Sequence, residues 1–160
     1  MSVLVTVRES IEIPAPPEAV WDYTQDYACR PDWDASIISG VVTSVHPARC
    51  VAVRGRGLQC VFRYKAFDRP RRSSLTMETV RSWLIAGGGG AWRYEKTPEG
   101  TRWTQVNSLR IYGAWIPGFG QLFTWMLRIQ TRRAMRCARA RILAGNTEPT
   151  RPRACGFASP

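Results

Sequence analysis

Polar side chains capable of chemistry recur in step with aromatic ones along three stretches of this chain. "VFRYKAF" sets Phe62 two residues before Tyr64, "AWRYEK" sets Trp92 two before Tyr94, and "RWTQVNS" aligns Trp103, Gln105 and Asn107. A spacing of two places side chains on one face of a strand. Aromatic walls with a few convergent polar groups suit a flat, partly oxygenated, hydrophobic ligand. Tyr64 is the best proton donor among them. A phenol with a pKa of about 10 suits hydrogen-bonding an enolate or carbonyl better than acting as a base. Gln105 and Asn107 are same-face amides that need partners inside a sheet, and a hydrated cavity or a ligand would supply them. Taken singly, each aromatic residue also reads as ordinary core packing.

Other chemistries find little support. His46 is the only histidine and stands beside Pro47 in a turn, which argues against Cys-His or Ser-His-Asp catalysis. A metal site would have to be built from carboxylates alone, so neither a metal nor a cofactor is expected. Asp32 and Asp34 flank Trp33 near the expected cavity mouth and read first as helix-cap or surface carboxylates, with a general acid or base as the alternative. The run "AGGGGAW" lacks the following Lys-Ser/Thr of a phosphate loop. Its glycines read as a mobile rim or a sharp strand bend. Glu78 and Arg93 fall on the opposite parity and should face solvent.

The elements that position these residues follow from periodicity. "VLVTVRESIEI" alternates over 3–13 and predicts a strand that Pro14 stops. Pro17 and Glu18 open a short helix ending near Asp26, and a second short helix is expected over 31–35. Strands are predicted over 36–45, 49–54, 58–67, 72–81, 84–97 and 102–113, with Glu99-Gly100 as the last hairpin turn. A long helix is predicted over 118–143. Phe119, Leu122, Phe123, Met126 and Ile129 form its apolar stripe, from which Phe119, Phe123 and Met126 are expected to face the sheet. One helix cannot fill the concave side of a curved antiparallel sheet, so a cavity should remain between them.

The chain has 160 residues, a net charge of +11 and 44% hydrophobic content, which suits a single folded domain. That domain is expected over 1–145, with a disordered tail over 146–160. All but two of the 23 basic residues are arginine, a bias that fits codon usage better than nucleic-acid recognition, and no nucleic-acid-binding module is present. Most arginines of the long helix read as a solvated face. An anionic membrane surface is the lesser alternative, because Trp and Phe are confined to the helix's first half. No transmembrane segment or signal peptide is apparent. Five scattered cysteines suit a reducing cytoplasm.

"I-x-I-x-A-P-P-E-x-V-W-D-Y" followed by "R-P-D-W-D" resembles the helix-grip superfamily of START and Bet v 1-like domains. It is most similar there to the polyketide cyclase/dehydrase and lipid-transport group. "EGTRWTQVNSL" resembles that group's final strand hairpin, and the match runs over roughly residues 3–144. The resemblance implies an α+β fold with a curved seven-stranded antiparallel sheet wrapped around a long C-terminal helix. Two short helices would separate strands 1 and 2. It also implies a cavity taking a hydrophobic, polyketide- or isoprenoid-like molecule. The catalytic candidates are then Tyr64, Gln105 and Asn107, and the ligand-binding candidates Trp33, Phe62, Trp92, Tyr94, Trp103, Phe119, Phe123 and Met126. Where the group's aromatic cyclases carry a cavity Arg, this chain has Ala66. Three functions stay open: a tailoring enzyme for cyclisation or dehydration, a non-catalytic carrier or sensor, and a basic adaptor. The adaptor would use its Arg-rich helix on a partner such as an acidic carrier protein. The chain would be a monomer or homodimer.

Overall fold

The computed structural model describes residues 2–113 and 116–148. Its elements follow the chain as β1 (Ser2–Ile13), α1 (Pro17–Gln25), α2 (Arg30–Trp33), β2 (Ile37–Ser44), β3 (Cys50–Gly55), β4 (Leu58–Asp68), β5 (Arg72–Arg81), β6 (Ile85–Thr97), β7 (Gly100–Tyr112) and α3 (Phe119–Leu143). The seven strands form one curved antiparallel sheet in the order β1-β7-β6-β5-β4-β3-β2. This is the expected architecture, with two refinements.

The last hairpin turns at Pro98-Glu99, because Thr97 pairs with Gly100. Gly100 has φ +143°, and a Cβ there would collide with the Ile13 carbonyl. It therefore starts a strand rather than closing a turn. The second refinement is in β4. A register shift between Tyr64 and Ala66 brings Phe67 opposite Ser73, which itself pairs with Trp92. Facing residues of an antiparallel pair share a face, so Phe67, not Ala66, follows Tyr64 on the concave side. A bulge reverses parity beyond it, and sequence alternation alone does not reveal one.

The core has three parts. Between α1, α2 and the second half of α3 lie Trp21, Trp33, Trp92, Tyr94, Trp103 and Met135. Tyr27, Val51, Val53 and Phe62 pack at the β3–β4 side. Val5, Leu109 and Ile111 meet Phe119 and Phe123 near the start of α3. Full burial of each such side chain contributes about 1.5–3 kcal/mol.

The long helix is anchored unevenly. Its buried residues, Thr131, Ala134, Met135 and Ala138, all lie in its second half. Glu9 of β1, across the ladder from Gln105, ties down the middle: its carboxylate holds Arg128 Nε at 3.2 Å and Arg132 Nε at 2.7 Å. Of the expected tail, residues 146–148 are described and the rest lies outside the described residues. The Asn146 amide donates to the Arg141 carbonyl at 3.0 Å, and the Cys29 thiol to the Thr147 carbonyl at 3.3 Å.

Candidate functional site

Alternation along β6 and β7 brings Trp92, Trp103, Gln105 and Asn107 to the concave face. Trp92 pairs with Gln105, and Gly90 with Asn107. Trp33, the last residue of α2, closes over them. Its ring centre is 5.6 Å from that of Trp103 and 6.2 Å from that of Trp92, and Trp92 and Trp103 are themselves 5.6 Å apart. The two pairs with Trp103 are edge-to-face, an arrangement that the aromatic quadrupole favours.

Into this triad comes a charge that sequence reasoning missed. Arg30 is 7% exposed, and its guanidinium carbon lies 4.4 Å from the Trp92 ring centre and 4.6 Å from that of Trp33. Its Nε donates to Asp34 Oδ2 at 3.0 Å, while Asp34 Oδ1 accepts from the Ser36 amide and hydroxyl. Burial alone would weaken the cation, but Asp34 and the neighbouring tyrosines outweigh it and raise the Arg30 pKa. The group therefore stays charged. Asp34 is correspondingly a buried counter-ion and not the surface carboxylate expected. The signal was present in "RPDWD": Arg and Asp four apart stand one helical turn from each other.

A buried polar chain runs beneath the triad. Tyr27 and Tyr64 share a hydrogen bond of 2.8 Å, and the Tyr64 hydroxyl donates to Gln25 Oε1 at 3.2 Å. Gln25 Nε2 then donates to Ser73 Oγ at 2.8 Å and to the Tyr94 hydroxyl at 3.0 Å; Tyr94 meets Thr24 Oγ1 at 2.8 Å. Burial is the main cause that raises the pKa values of Tyr27, Tyr64 and Tyr94 above 10.0. These phenols are proton donors at neutral pH, never bases.

The amides satisfy each other incompletely. Asn107 Nδ2 donates to Gln105 Oε1 at 3.2 Å and approaches Thr131 Oγ1 of α3 at 3.5 Å. Among the described residues Gln105 Nε2 is buried without a partner, and so are the indole N–H groups of Trp33 and Trp103. Three orphaned donors thus belong to residues of one cluster.

The remaining candidates separate. Phe62 packs with Tyr27 in the β3–β4 part of the core, and Tyr94 stacks on Trp103 at 14° with its hydroxyl tied to α1. Phe119 and Phe123 flank the far end of the concave face, partly buried against Leu109 and Ile111. Met126 points away, 53% exposed. Helical spacing allowed two apolar arcs on α3, and the sheet takes the one containing Phe123 and Leu127. Tyr64, Ser73, Leu75, Gly90 and Trp92 enclose about 10 Å³, room for roughly one water. Among the described residues no group of three or more His, Cys, Asp or Glu could hold a metal ion.

A seven-stranded antiparallel sheet gripping one long helix defines the helix-grip, Bet v 1-like class. The chain belongs to the polyketide cyclase/dehydrase and lipid transport family, whose model matches residues 5–145. Solved structures agree in fold at low identity. Ara h 8.0201 aligns with a TM-score of 0.66 and 13% identity, covering 89% of this chain and 99% of its own. TTHA0849 from Thermus thermophilus aligns at 0.69 and 18%, with the same coverage. The di-domain ARO/CYC StfQ from the steffimycin biosynthetic pathway aligns at 0.71 and 12%, over 91% of this chain and 53% of its own, so this chain spans about half of it. No curated protein sequence matches the chain.

Proposed function

We propose that this protein binds a hydrophobic, oxygen-bearing molecule of polyketide- or isoprenoid-like kind against the concave face of β5–β7 and promotes its cyclisation or dehydration. The observation carrying this reading is the trio of buried, unpartnered N–H donors on Trp33, Trp103 and Gln105 beside the Arg30 cation. Each orphaned donor costs about 1–3 kcal/mol while unpaired. A ligand offering carbonyl oxygens between aromatic faces relieves that cost. The same donors and cation favour the negative charge that develops on a carbonyl oxygen as it is attacked or enolised.

In such a reaction an enol carbon of the ligand attacks a second carbonyl polarised by these donors, forming a carbon–carbon bond. Loss of water from the resulting alcohol follows. Neither step changes the overall oxidation level. Tyr64, held protonated, would serve as proton donor, and Gln105 with Asn107 would orient the oxygens. Trp33, Trp92 and Trp103 would stack on the ligand, with Phe119 and Phe123 at its outer end. The gap between Tyr64, Gly90 and Trp92 holds about one water, so a ligand reaching that point displaces the rings around it.

A second reading, a non-catalytic carrier, is favoured by one observation: burial raises the phenols of Tyr27, Tyr64 and Tyr94, so none of the three gives up its proton near pH 7. The test is native mass spectrometry of gently purified protein, followed by denaturation and identification of any released molecule. A stoichiometric oxygenated polycycle or its linear precursor supports the proposal. A released plain hydrocarbon chain, or failure to bind any oxygenated polycycle offered, overturns it.

A further inference from the structure

The outward side of α3 is the most unusual surface of the molecule. Leu122, Trp125, Met126 and Ile129 are 52%, 61%, 53% and 44% exposed. At 100° per residue they lie together on the side opposite the buried Thr131, Ala134, Met135 and Ala138. Beyond Ile129 the same side turns cationic. Ile129, Arg132, Arg133, Arg136, Cys137 and Ala140 border a concavity of about 510 Å³. The helix contains no Asp or Glu at all. Glu9 engages Arg128 and Arg132, but Arg133 and Arg136 make no ion pair among the described residues.

Further apolar groups are exposed just before α3 and in the β5–β6 connection, where the Trp83 ring lies beside Gly57 of the β3–β4 turn. The Tyr112 amide donates to the Leu84 carbonyl, which ties the β5–β6 connection to the end of β7. Trp83 in that connection is 80% exposed, and Ile116, just before α3, is 41% exposed. Arg81 and Arg110 are exposed nearby.

We infer that this face docks on an anionic phospholipid bilayer, with the first turns of α3 entering the headgroup layer. The order of polarity along the helix decides the occupant. Leu122 to Ile129 spans about 10 Å of helix, and Ile129 to Arg136 about another 10 Å. Polarity therefore changes along the axis, not around it. An acidic protein helix laid in a groove would call for an apolar strip running the whole length. A leaflet instead presents hydrocarbon, then phosphates, in one direction across its thickness. A tilted α3 matches that order, with Trp125 at the interface, where amphipathic rings settle, and Arg133 and Arg136 among the phosphates.

The full chain should co-sediment with vesicles of equal parts phosphatidylglycerol and phosphatidylcholine, and far less with phosphatidylcholine alone. Tryptophan emission should be quenched when the acyl chains carry bromine. Trp125→Ser, at an exposed position, should weaken binding roughly tenfold while leaving the far-ultraviolet circular dichroism unchanged. Arg133→Gln and Arg136→Gln should each weaken it roughly fivefold. Binding without bromine quenching would be mere adhesion of a cationic protein and overturns the inference. So does equal, Trp125-dependent binding to poly-glutamate, which would assign the face to an acidic protein. A dimer that Trp125→Ser disperses, with no vesicle binding, assigns it to a second copy and overturns it as well.

Discussion

Arg30 and Trp92 stand face to face, with the guanidinium carbon 4.4 Å from the centre of the indole. Trp33 covers the cation from another side and Asp34 neutralises it. Removing one member of a buried pair leaves the other charge stranded, at a cost of about 3–5 kcal/mol. Arg30→Met should therefore lower unfolding stability by that amount in urea. The double change Arg30→Met with Asp34→Leu should recover most of it while abolishing ligand binding. Recovery of both would show that the cation serves packing alone.

Gly90 gives the concave floor its gap. A Cβ there would lie 3.2 Å from Asn107 Oδ1 and 3.8 Å from Trp92 Nε1. Gly90→Val should fill the space between Tyr64, Leu75 and Trp92 and weaken ligand binding at least about tenfold, one methyl-sized clash being worth roughly 1–3 kcal/mol. Circular dichroism should stay the same, and calorimetry of the ligand would read the loss.

Tyr64 and Asn107 separate an enzyme from a carrier. Tyr64→Phe removes a donor from Gln25 and a partner from Tyr27, costing about 1–2 kcal/mol of stability. If the protein is catalytic, this change and Asn107→Ala should reduce turnover by about two orders of magnitude, as loss of a proton donor does, with little change in affinity. Parallel losses in both would identify a carrier.

Alkaline pH should destabilise the fold through its buried phenols. Below pH 10 they are protonated in both folded and unfolded chains, so they make stability independent of pH. Above it the unfolded chain ionises first, because burial holds Tyr27, Tyr64 and Tyr94 above 10.0 and raises Tyr23 to about 12. The folded state then binds more protons, and stability falls by up to about 1.4 kcal/mol per pH unit for each phenol. Phenolate absorbance during an alkaline titration should appear together with unfolding. Early, reversible ionisation of all five tyrosines would contradict this.

Strands such as β1, β3 and β4 were legible because each has one buried face, and alternation reports burial directly. Trp92, Trp103, Gln105 and Asn107 could be aligned from their spacing for that reason. Three features were hidden. The bulge after Tyr64 exchanges Ala66 for Phe67, and nothing in the local composition marks it. The outward turn of Met126 was ambiguous because α3 carries two apolar arcs, of which only one fits the sheet. The Arg30–Asp34 pair lies against the general rule that charges remain in water. Asp34 together with Trp92, brought from a distant strand, makes that burial tolerable.

The uneven anchoring of α3 bears on time as much as on energy. With Glu9 gripping Arg128 and Arg132 and every buried residue further along, the helix is pinned from its middle onward. The first two turns, carrying Phe119 and Phe123, are held by half-buried contacts. They should open and close far more often than the rest, as weakly packed segments do. Backbone amides after the first turn, over 123–127, should exchange with deuterium well before those of 134–142, and Glu9→Gln should carry the fast-exchanging zone further down the helix. Ligand traffic would then be governed by a door hinged just before Arg128, one that swings without unfolding the wall behind it.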